Sequence, residues 1–456
     1  MSTPASDGTA TATRNGTPPG PRGRLLTGSM RDFQRDSLGF IEEVALRHGD
    51  VVRYRMATMW WHQVNHPEGV RRVLQENNHN YPKSNLTASI LRPVAGEGLF
   101  ISEGKTWLRQ RRLMQPAFHR QKIAAFGELM TNAAQKMMGR WDHRIDAAAE
   151  MTRLTLDVAT DALFHAHVGE EPETIARAVS TLLAEINHRF QVPFYPPISV
   201  PTPRNRRMRH AIRTLDRAMY DIIEQRRRDG EEGDDLLSML MEARDEETGA
   251  AMSDRQLRDE VITLFIAGHD TTANALTWTF YLLAKYPEAD ERLRAELDEV
   301  LDGAVPTVTD LPKLPYGRMV IEEAMRLYPP AWITDRQAIE EDEILGHRIP
   351  AGGHVIISPY VTHRLPTLWE DPEKFDPTRF SPENSAIRPR YAYFPFGGGP
   401  RQCIGKGMAL MEAHLILTTV MQRYRLRLAA NRPVEPQPTV TLSPRGGLPM
   451  TVELVS

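Results

Sequence analysis

The 456-residue chain has a single cysteine, Cys403. That excludes an intrachain disulfide framework, a four-thiolate zinc site and an iron–sulfur cluster held by its own thiolates. It also lacks any apolar run approaching the roughly 18–20 residues that cross a bilayer. A one-sided charge is missing too: 56 Lys and Arg against 59 Asp and Glu leave a formal charge of −3. A dedicated nucleic-acid binder would carry a basic excess. The first 22 residues have almost no large apolar side chains, which excludes a secretory h-region. A disordered leader over 1–22 is expected, ending in the stiff Pro18-Pro19-Gly20-Pro21. The leader is poor in acids, as transit peptides are, but Arg14 and Arg22 and the lack of amphipathic period argue against that reading. What remains is ordinary globular composition, 41% hydrophobic and 25% charged, so wholesale disorder is excluded. A soluble, cytoplasmic protein is expected.

No internal repeat and no linker-like shift of composition interrupts residues 23–456, which read as one large, mostly helical domain with a small β portion. Asp32 to His48 has a helical pattern. Val51 to Val64 mixes β-branched and aromatic residues and predicts two strands joined by a short turn. Asn65-His66-Pro67-Glu68 opens a short helix, with a cap, an early proline and an acid in the first turn. Helical patterns dominate from Gly104 to Ser253, broken at Val192 to Pro203 by a proline-rich aromatic passage that reads as a cover over something apolar. A long helix then starts at Ser253 or Asp254 and ends at Tyr286-Pro287, roughly 45–50 Å at 1.5 Å per residue. Its Val261–Gly268 stretch is apolar on nearly every face, as for a helix crossing a domain interior. Glu288 to Asp302 reads as a solvated helix. Past residue 330 come short strands, a helix from Gly405 to Tyr424, and two strands around Gly446-Gly447.

The most informative segment runs from Phe396 through Gly397, Gly398, Gly399, Pro400, Arg401 and Gln402 to Cys403 and Gly405. Its glycines and proline give a tight turn with no bulk to pack, a poor place for a structural core thiol. A helix begins just after Cys403, so its dipole and free N–H groups, with Arg401 nearby, are expected to lower the thiol pKa.

The pattern Phe-x-x-Gly-x-Arg-x-Cys-x-Gly resembles the haem-thiolate loop of the cytochrome P-450 superfamily, with every defining position filled. Three further motifs follow the family's order. Ala267-Gly268-His269-Asp270-Thr271-Thr272 resembles the oxygen-activation motif, Glu323-Ala324-Met325-Arg326 the Glu-x-x-Arg, and Pro377-Thr378-Arg379-Phe380 the Pro-x-Arg-Phe element. The resemblance spans residue 30 or so to the C-terminus and implies a mainly α, single haem-thiolate domain binding haem b.

By that resemblance Cys403 is the axial thiolate, which favours O–O cleavage after dioxygen binds, and Phe396 shields it. Asp270 and Thr271 are the acid–alcohol pair that delivers protons in a nearly dry pocket, and Gly268 lets the helix bulge. His269 is read as packing rather than ligation. Trp107 and Arg111, one helical turn apart, match the family's haem-contacting helix; Arg401 and Arg336 resemble the other propionate partners. Glu323, Arg326 and Arg379 form a structural charge network. Ala267, Ala331, Ile333 and Leu448, the last at a hairpin tip, are expected in the substrate pocket, walled by Leu86 to Val94 and the proline-rich cover.

The resemblance implies a monooxygenase acting on a lipophilic fatty acid, terpenoid, steroid or polyketide. Electrons come from a separate ferredoxin or flavodoxin, with no attached redox module expected. Arg109, Arg111, Arg112, Arg120 and Lys122 offer a basic docking run for it. The Pro-x-Arg-Phe element is closer to the fatty-acid-hydroxylase and microsomal-like branch than to the camphor-hydroxylase branch. Three other readings stand beside this one: a peroxide-driven or isomerising haem-thiolate enzyme, a haem-based sensor, and a non-haem metalloenzyme built on His62 and His66 or on His165 and His167.

Overall fold

The computed structural model describes residues 16–164, 172–192, 195–229, 233–429 and 433–455. Residues 1–15 of the expected leader lie outside these. Residues 16–22 are instead tied to strands: the Arg53 N–H donates to the Pro19 carbonyl at 2.8 Å and the Arg348 N–H to the Gly16 carbonyl at 2.7 Å. A Cβ on Gly20 would stand 1.8 Å from the Arg53 carbonyl oxygen, so the backbone approach itself requires glycine there.

Contacts divide the chain into two compact units, the first drawn from Met1–Asn85, Trp332–Glu373 and Arg388–Gln402. Here Val51–Met56 and Met59–Val64 form the expected hairpin, in register from Val51↔Val64 to Met56↔Met59. Period-2 alternation sends Val52, Tyr54 and Met56 toward Val44, while Val51 and Val64 join Val355, Ile357 and Ile344 in a second cluster. His354–Ile357 adds parallel to Met59–Val64, and Thr334–Gln337 adds antiparallel beyond it. The helical pattern before the hairpin is two helices, Met30–Arg35 and Ser37–His48. Asp36 breaks them because its carboxylate caps the second, accepting the Gly39 N–H at 2.9 Å. Pro67–Arg71 is the short helix, capped by the His66 ring on the Glu68 N–H.

The second unit, Leu86–Ala331, Lys374–Ile387 and Cys403–Ser456, carries the long helix, Asp254–Lys285. Ser253 Oγ accepts the Gln256 N–H at 3.2 Å and Pro287 opens the next helix, Pro287–Leu301, so both ends fall where cap and proline dictate. The helix is anchored by Trp278, which is fully buried and stacked on Tyr328 at 3.9 Å. Its indole N–H donates to the Leu442 carbonyl at 2.8 Å. An indole burying roughly 150–250 Å² contributes about 4–6 kcal/mol at roughly 25 cal/mol per Å².

The helix after the cysteine is Lys406–Arg423. Of the proline-rich passage, Pro193 and Phe194 lie outside the described residues. Beyond them, Asn205 gathers the carbonyls of Pro197 and Val200 at 2.8 and 2.9 Å.

The strands flanking Gly446-Gly447 do not pair with each other. Leu442–Pro444 pairs with Pro436–Pro438, whereas Pro449–Leu454 pairs with Arg144–Asp146 and Tyr424–Leu428. The hairpin tip is therefore Thr439–Thr441. Leu448 is buried at the start of the other sheet, its N–H on the Asp146 carboxylate at 2.9 Å. Its expected place at a hairpin tip is corrected accordingly.

Candidate functional site

The glycine-rich loop is shaped by close approach. Gly397 and Gly399 hold φ of +66° and +63°, and a Cβ on Gly399 would lie 1.8 Å from the Leu74 carbonyl oxygen. Any other residue would force the loop off that backbone. Phe396 and Arg401, in the same unit, are both half-buried. Arg336 is buried on the strand Thr334–Gln337, where it donates to Thr334 Oγ1 at 2.9 Å and to the Asp335 carbonyl at 2.8 Å. Ile333 is half-buried just before that strand, and Trp332 ahead of it is buried.

In the second unit the Cys403 sulfur accepts N–H groups from Gly405 and Lys406. The side chain is exposed, yet it lies deep enough among protein atoms that lost solvation pushes the thiol up, against those N–H groups and the Arg111 charge. The expected fall in pKa is thus reversed, because desolvation outweighs the helix end. Arg111 in turn is lowered by burial, with Cys403 opposing. Trp107 and Arg111 are both half-buried on the helix Gly104–Met114, one turn apart as expected.

Between Leu257 and Leu283 the long helix exposes only Ala267 and Gly268. A Cβ added to Gly268 would meet nothing within 4 Å. The expected bulge is absent and the helix runs on unbroken. Instead, three successive carbonyls each accept a hydroxyl: Ala267 from Thr271 at 2.9 Å, Gly268 from Thr272 at 3.1 Å, and His269 from Thr155 at 2.9 Å. Hydroxyl groups that bond back one turn bend rather than break a helix. His269 is buried, its ring on the Phe265 carbonyl at 2.9 Å, which is the packing role expected. Ala331 is exposed.

Asp270 has company that the motifs do not announce. Its Oδ2 accepts the Thr441 hydroxyl at 2.5 Å, and Asn274 Nδ2 donates to Thr441 Oγ1 at 3.2 Å. The buried pair Glu323 and Arg326 is bidentate, at 2.6 and 2.8 Å. Arg379 stands 3.5 Å from Glu323 Oε1, and the Asp376 N–H donates to the same oxygen at 2.9 Å. Burial pushes the Glu323 carboxyl up, and Arg326, the Asp376 N–H and Arg379 pull it back. The three residues meet as a network, the arrangement that the resemblance implied.

The basic run is partly neutralised. Arg109 donates to Gln256 at 3.1 Å and faces Asp245 at 3.8 Å, and Arg112 pairs with Glu247 at 2.5 Å. Arg120 and Lys122 remain exposed. Of the histidines weighed for a non-haem metal, His62 bonds the His354 carbonyl and His66 caps a helix. His165 and His167 lie outside the described residues. Among the described residues no His, Cys, Asp and Glu cluster could hold a metal, and no helix is long and apolar enough to cross a membrane.

A sulfur given N–H donors by the Gly405 and Lys406 backbone and faced by the Arg111 charge, with Trp107 one turn before Arg111 on the same helix, fits an iron porphyrin with a sulfur ligand. The chain belongs to the cytochrome P450 family: residues 18–449 match the family described as Cytochrome P450. It is 37% identical to "Cyclooctatin synthase" of Streptomyces melanosporofaciens, over 93% of this chain and 93% of that one. It is 35% identical to "Pentalenene oxygenase" of Streptomyces avermitilis, over 91% and 93%. The crystal structure of the cytochrome P450DA heme domain matches with a TM-score of 0.88 at 26% identity, covering 96% of this chain and 98% of that one. The chain is thus a haem-binding oxidoreductase with a cysteine-thiolate ligand that incorporates oxygen from dioxygen.

Proposed function

We propose that this monooxygenase inserts one atom of dioxygen into a lipophilic terpenoid, using electrons from a separate ferredoxin or flavodoxin. The observation that carries the reading is the Ala267-Gly268 step, exposed within the otherwise covered stretch from Leu257 to Leu283 and next to Asp270 and Thr271. It offers small apolar surface beside groups able to move protons. The relatives named for pentalenene and cyclooctatin favour the terpenoid among the four lipophilic classes.

In this reading Cys403, the chain's one cysteine, would supply the sulfur ligand of the haem iron, Trp107, Arg111, Arg336 and Arg401 would hold the haem propionates, and Phe396 would cover the sulfur. Thiolate-bound haem supplies dioxygen activation, with electron density from sulfur favouring O–O cleavage. The Gly405 and Lys406 N–H groups steady the charged sulfur. Asp270 would take up protons from water, and the Thr271 hydroxyl would present them to the site of reaction. For that, the Thr271 hydroxyl would turn from the Ala267 carbonyl, which it meets at 2.9 Å, toward the site of reaction. Glu323, Arg326 and Arg379 fix the backbone around Lys374 and Asp376 and do not react. Ala267, Ala331 and Ile333 are proposed pocket residues. Leu448, buried at a sheet start, is proposed with them.

The test is a spectral binding screen of terpenes, fatty acids, steroids and macrolides against the haem-loaded protein, followed by turnover under ¹⁸O₂. Terpenoids should shift the Soret band, and one ¹⁸O atom should enter the product. A shift with fatty acids alone would sink the substrate assignment.

A further inference from the structure

The long helix places Asp270, but its carboxylate is aimed from outside that helix. The Thr441 hydroxyl donates to Asp270 Oδ2, while Asn274, one turn further along, donates through one amide nitrogen to Thr441 Oγ1 at 3.2 Å and to the Asp270 carbonyl at 2.9 Å. The direction of this chain is set by chemistry. An amide NH₂ only donates, so the Thr441 oxygen accepts there and its single proton is left for Asp270.

The donor is itself held. Thr441 is buried at the tip between Pro436–Pro438 and Leu442–Pro444. The Thr439 hydroxyl donates to the Thr441 carbonyl at 2.8 Å, and the Val440 N–H donates to Asn187 Oδ1 at 2.7 Å. On the other flank the Trp278 indole fixes the Leu442 carbonyl. The hydroxyl that meets Asp270 therefore sits on a tip clamped from the Pro172–Gln191 helix and from the long helix.

We propose that Thr441, with Asn274 behind it, is a positioning residue that fixes Asp270, engaging Oδ2 and leaving Oδ1 as the oxygen that takes and passes the proton. The inference rests on the proton-donor reading of Asp270 and deepens it. A carboxylate free to rotate exchanges its two oxygens; a charge-assisted bond to one of them ends that equivalence. The proton taken from water at Oδ1 is then handed on toward Thr271, and the carboxylate returns to its charged form with Oδ2 still held. Proton transfer is sensitive to placement, and a misplacement of about 1 Å costs roughly 100-fold.

The experiment compares Thr441→Val, Thr441→Ser, Asn274→Ala and Asp270→Asn in the haem-loaded full chain. The first readout, independent of turnover, is the infrared carboxylate band of Asp270, assigned by its loss in Asp270→Asn. The second is turnover with substrate affinity and solvent isotope effect. Thr441→Val should shift the band, raise the isotope effect and lower kcat by roughly tenfold, the worth of one hydrogen bond to a charged group. The substrate Kd should stay the same, and Thr441→Ser should restore all three. Asn274→Ala should move the band in the same sense, which keeps a test in hand should Thr441→Val not fold. An unmoved band in Thr441→Val or Asn274→Ala overturns the positioning role. Normal turnover in Asp270→Asn overturns the donor reading beneath it, a separate result because the band still reports whether Thr441 holds the carboxylate.

Discussion

Glu260 reaches out of the long helix to hold the backbone of Leu99: its Oε2 accepts that N–H at 2.8 Å. Asp259 beside it accepts the Glu97 N–H at 2.9 Å, so two adjacent carboxylates clamp one loop. Glu260 is fully buried, and burial pushes its carboxyl up to about 8, with the Leu99 N–H pulling the other way.

That clamp makes stability depend on pH. Glu260 and Glu412, both raised to about 8 by burial, keep a proton in the folded chain that the unfolded chain releases near 4.5. Their contribution is complete below that value and is lost as pH rises through 8. His62 and His414, both lowered to about 4 by burial, contribute fully above 6.5 and lose it as pH falls through 4. The two sets oppose each other from 4.5 to 6.5, so the net fall lies between 6.5 and 8. Denaturant unfolding at those two pH values should show it. Glu260→Gln should flatten the slope by up to about 1.4 kcal/mol per pH unit; an unaltered slope would show that Glu260 is ionised when folded.

The haem ligand has a direct spectroscopic test. The reduced protein with carbon monoxide should give the red-shifted Soret band of thiolate-bound haem, and Cys403→Ser should abolish it. A serine variant with the same band would remove Cys403 from the ligand role.

Thr271 and Asp270 should fail differently. Thr271→Ala should still bind haem and substrate but divert electrons to hydrogen peroxide, because the hydroxyl that presents the proton is gone. Asp270→Asn should slow turnover instead, by roughly 10²–10⁴-fold as for a lost general acid. NADH, peroxide and product measured together separate the two, and equal coupling in both variants would dismiss the pair.

The Glu323–Arg326 pair should matter for folding. Arg326→Ala leaves a buried carboxylate without its main partner, a loss of about 3–5 kcal/mol for such pairs. Arg379→Ala should cost less, since that guanidinium is at 3.5 Å and partly exposed. Equal midpoints for wild type and Arg326→Ala in urea would contradict this.

For the redox partner, charge reversal at the exposed Arg120 and Lys122 should slow electron transfer and weaken its salt dependence. Arg112→Glu chiefly breaks the tie to Glu247. Stopped-flow reduction across a salt series reads both; an unchanged salt slope in the Arg120 and Lys122 variants would move docking elsewhere.

Local chemistry made much of this legible in the sequence. Ser253 and Pro287 mark the ends of the long helix, and the glycines before Cys403 mark a backbone that tolerates no side chain. What stayed hidden depends on residues far apart in the chain. Thr441 meets Asp270 across 171 positions, and threonine in a polar turn carries no motif. Arg112 looks free until Glu247, 135 positions away, closes on it. Leu448 lies away from the expected hairpin tip: the glycines at 446 and 447 signal a turn without saying that its two strands belong to different sheets. The thiol's pKa reversed because helix ends are visible in sequence and burial is not.

The small side chains at Ala267 and Gly268 also decide what competes for room beside the long helix. They are the two exposed positions between Leu257 and Leu283, and in the proposed reading they face the haem and substrate. A side chain added there would crowd the bound molecule rather than the packed interior. Libraries confined to these two positions should alter which molecules are accepted, and haem content measured beside melting temperature should report any variant that crowds the porphyrin.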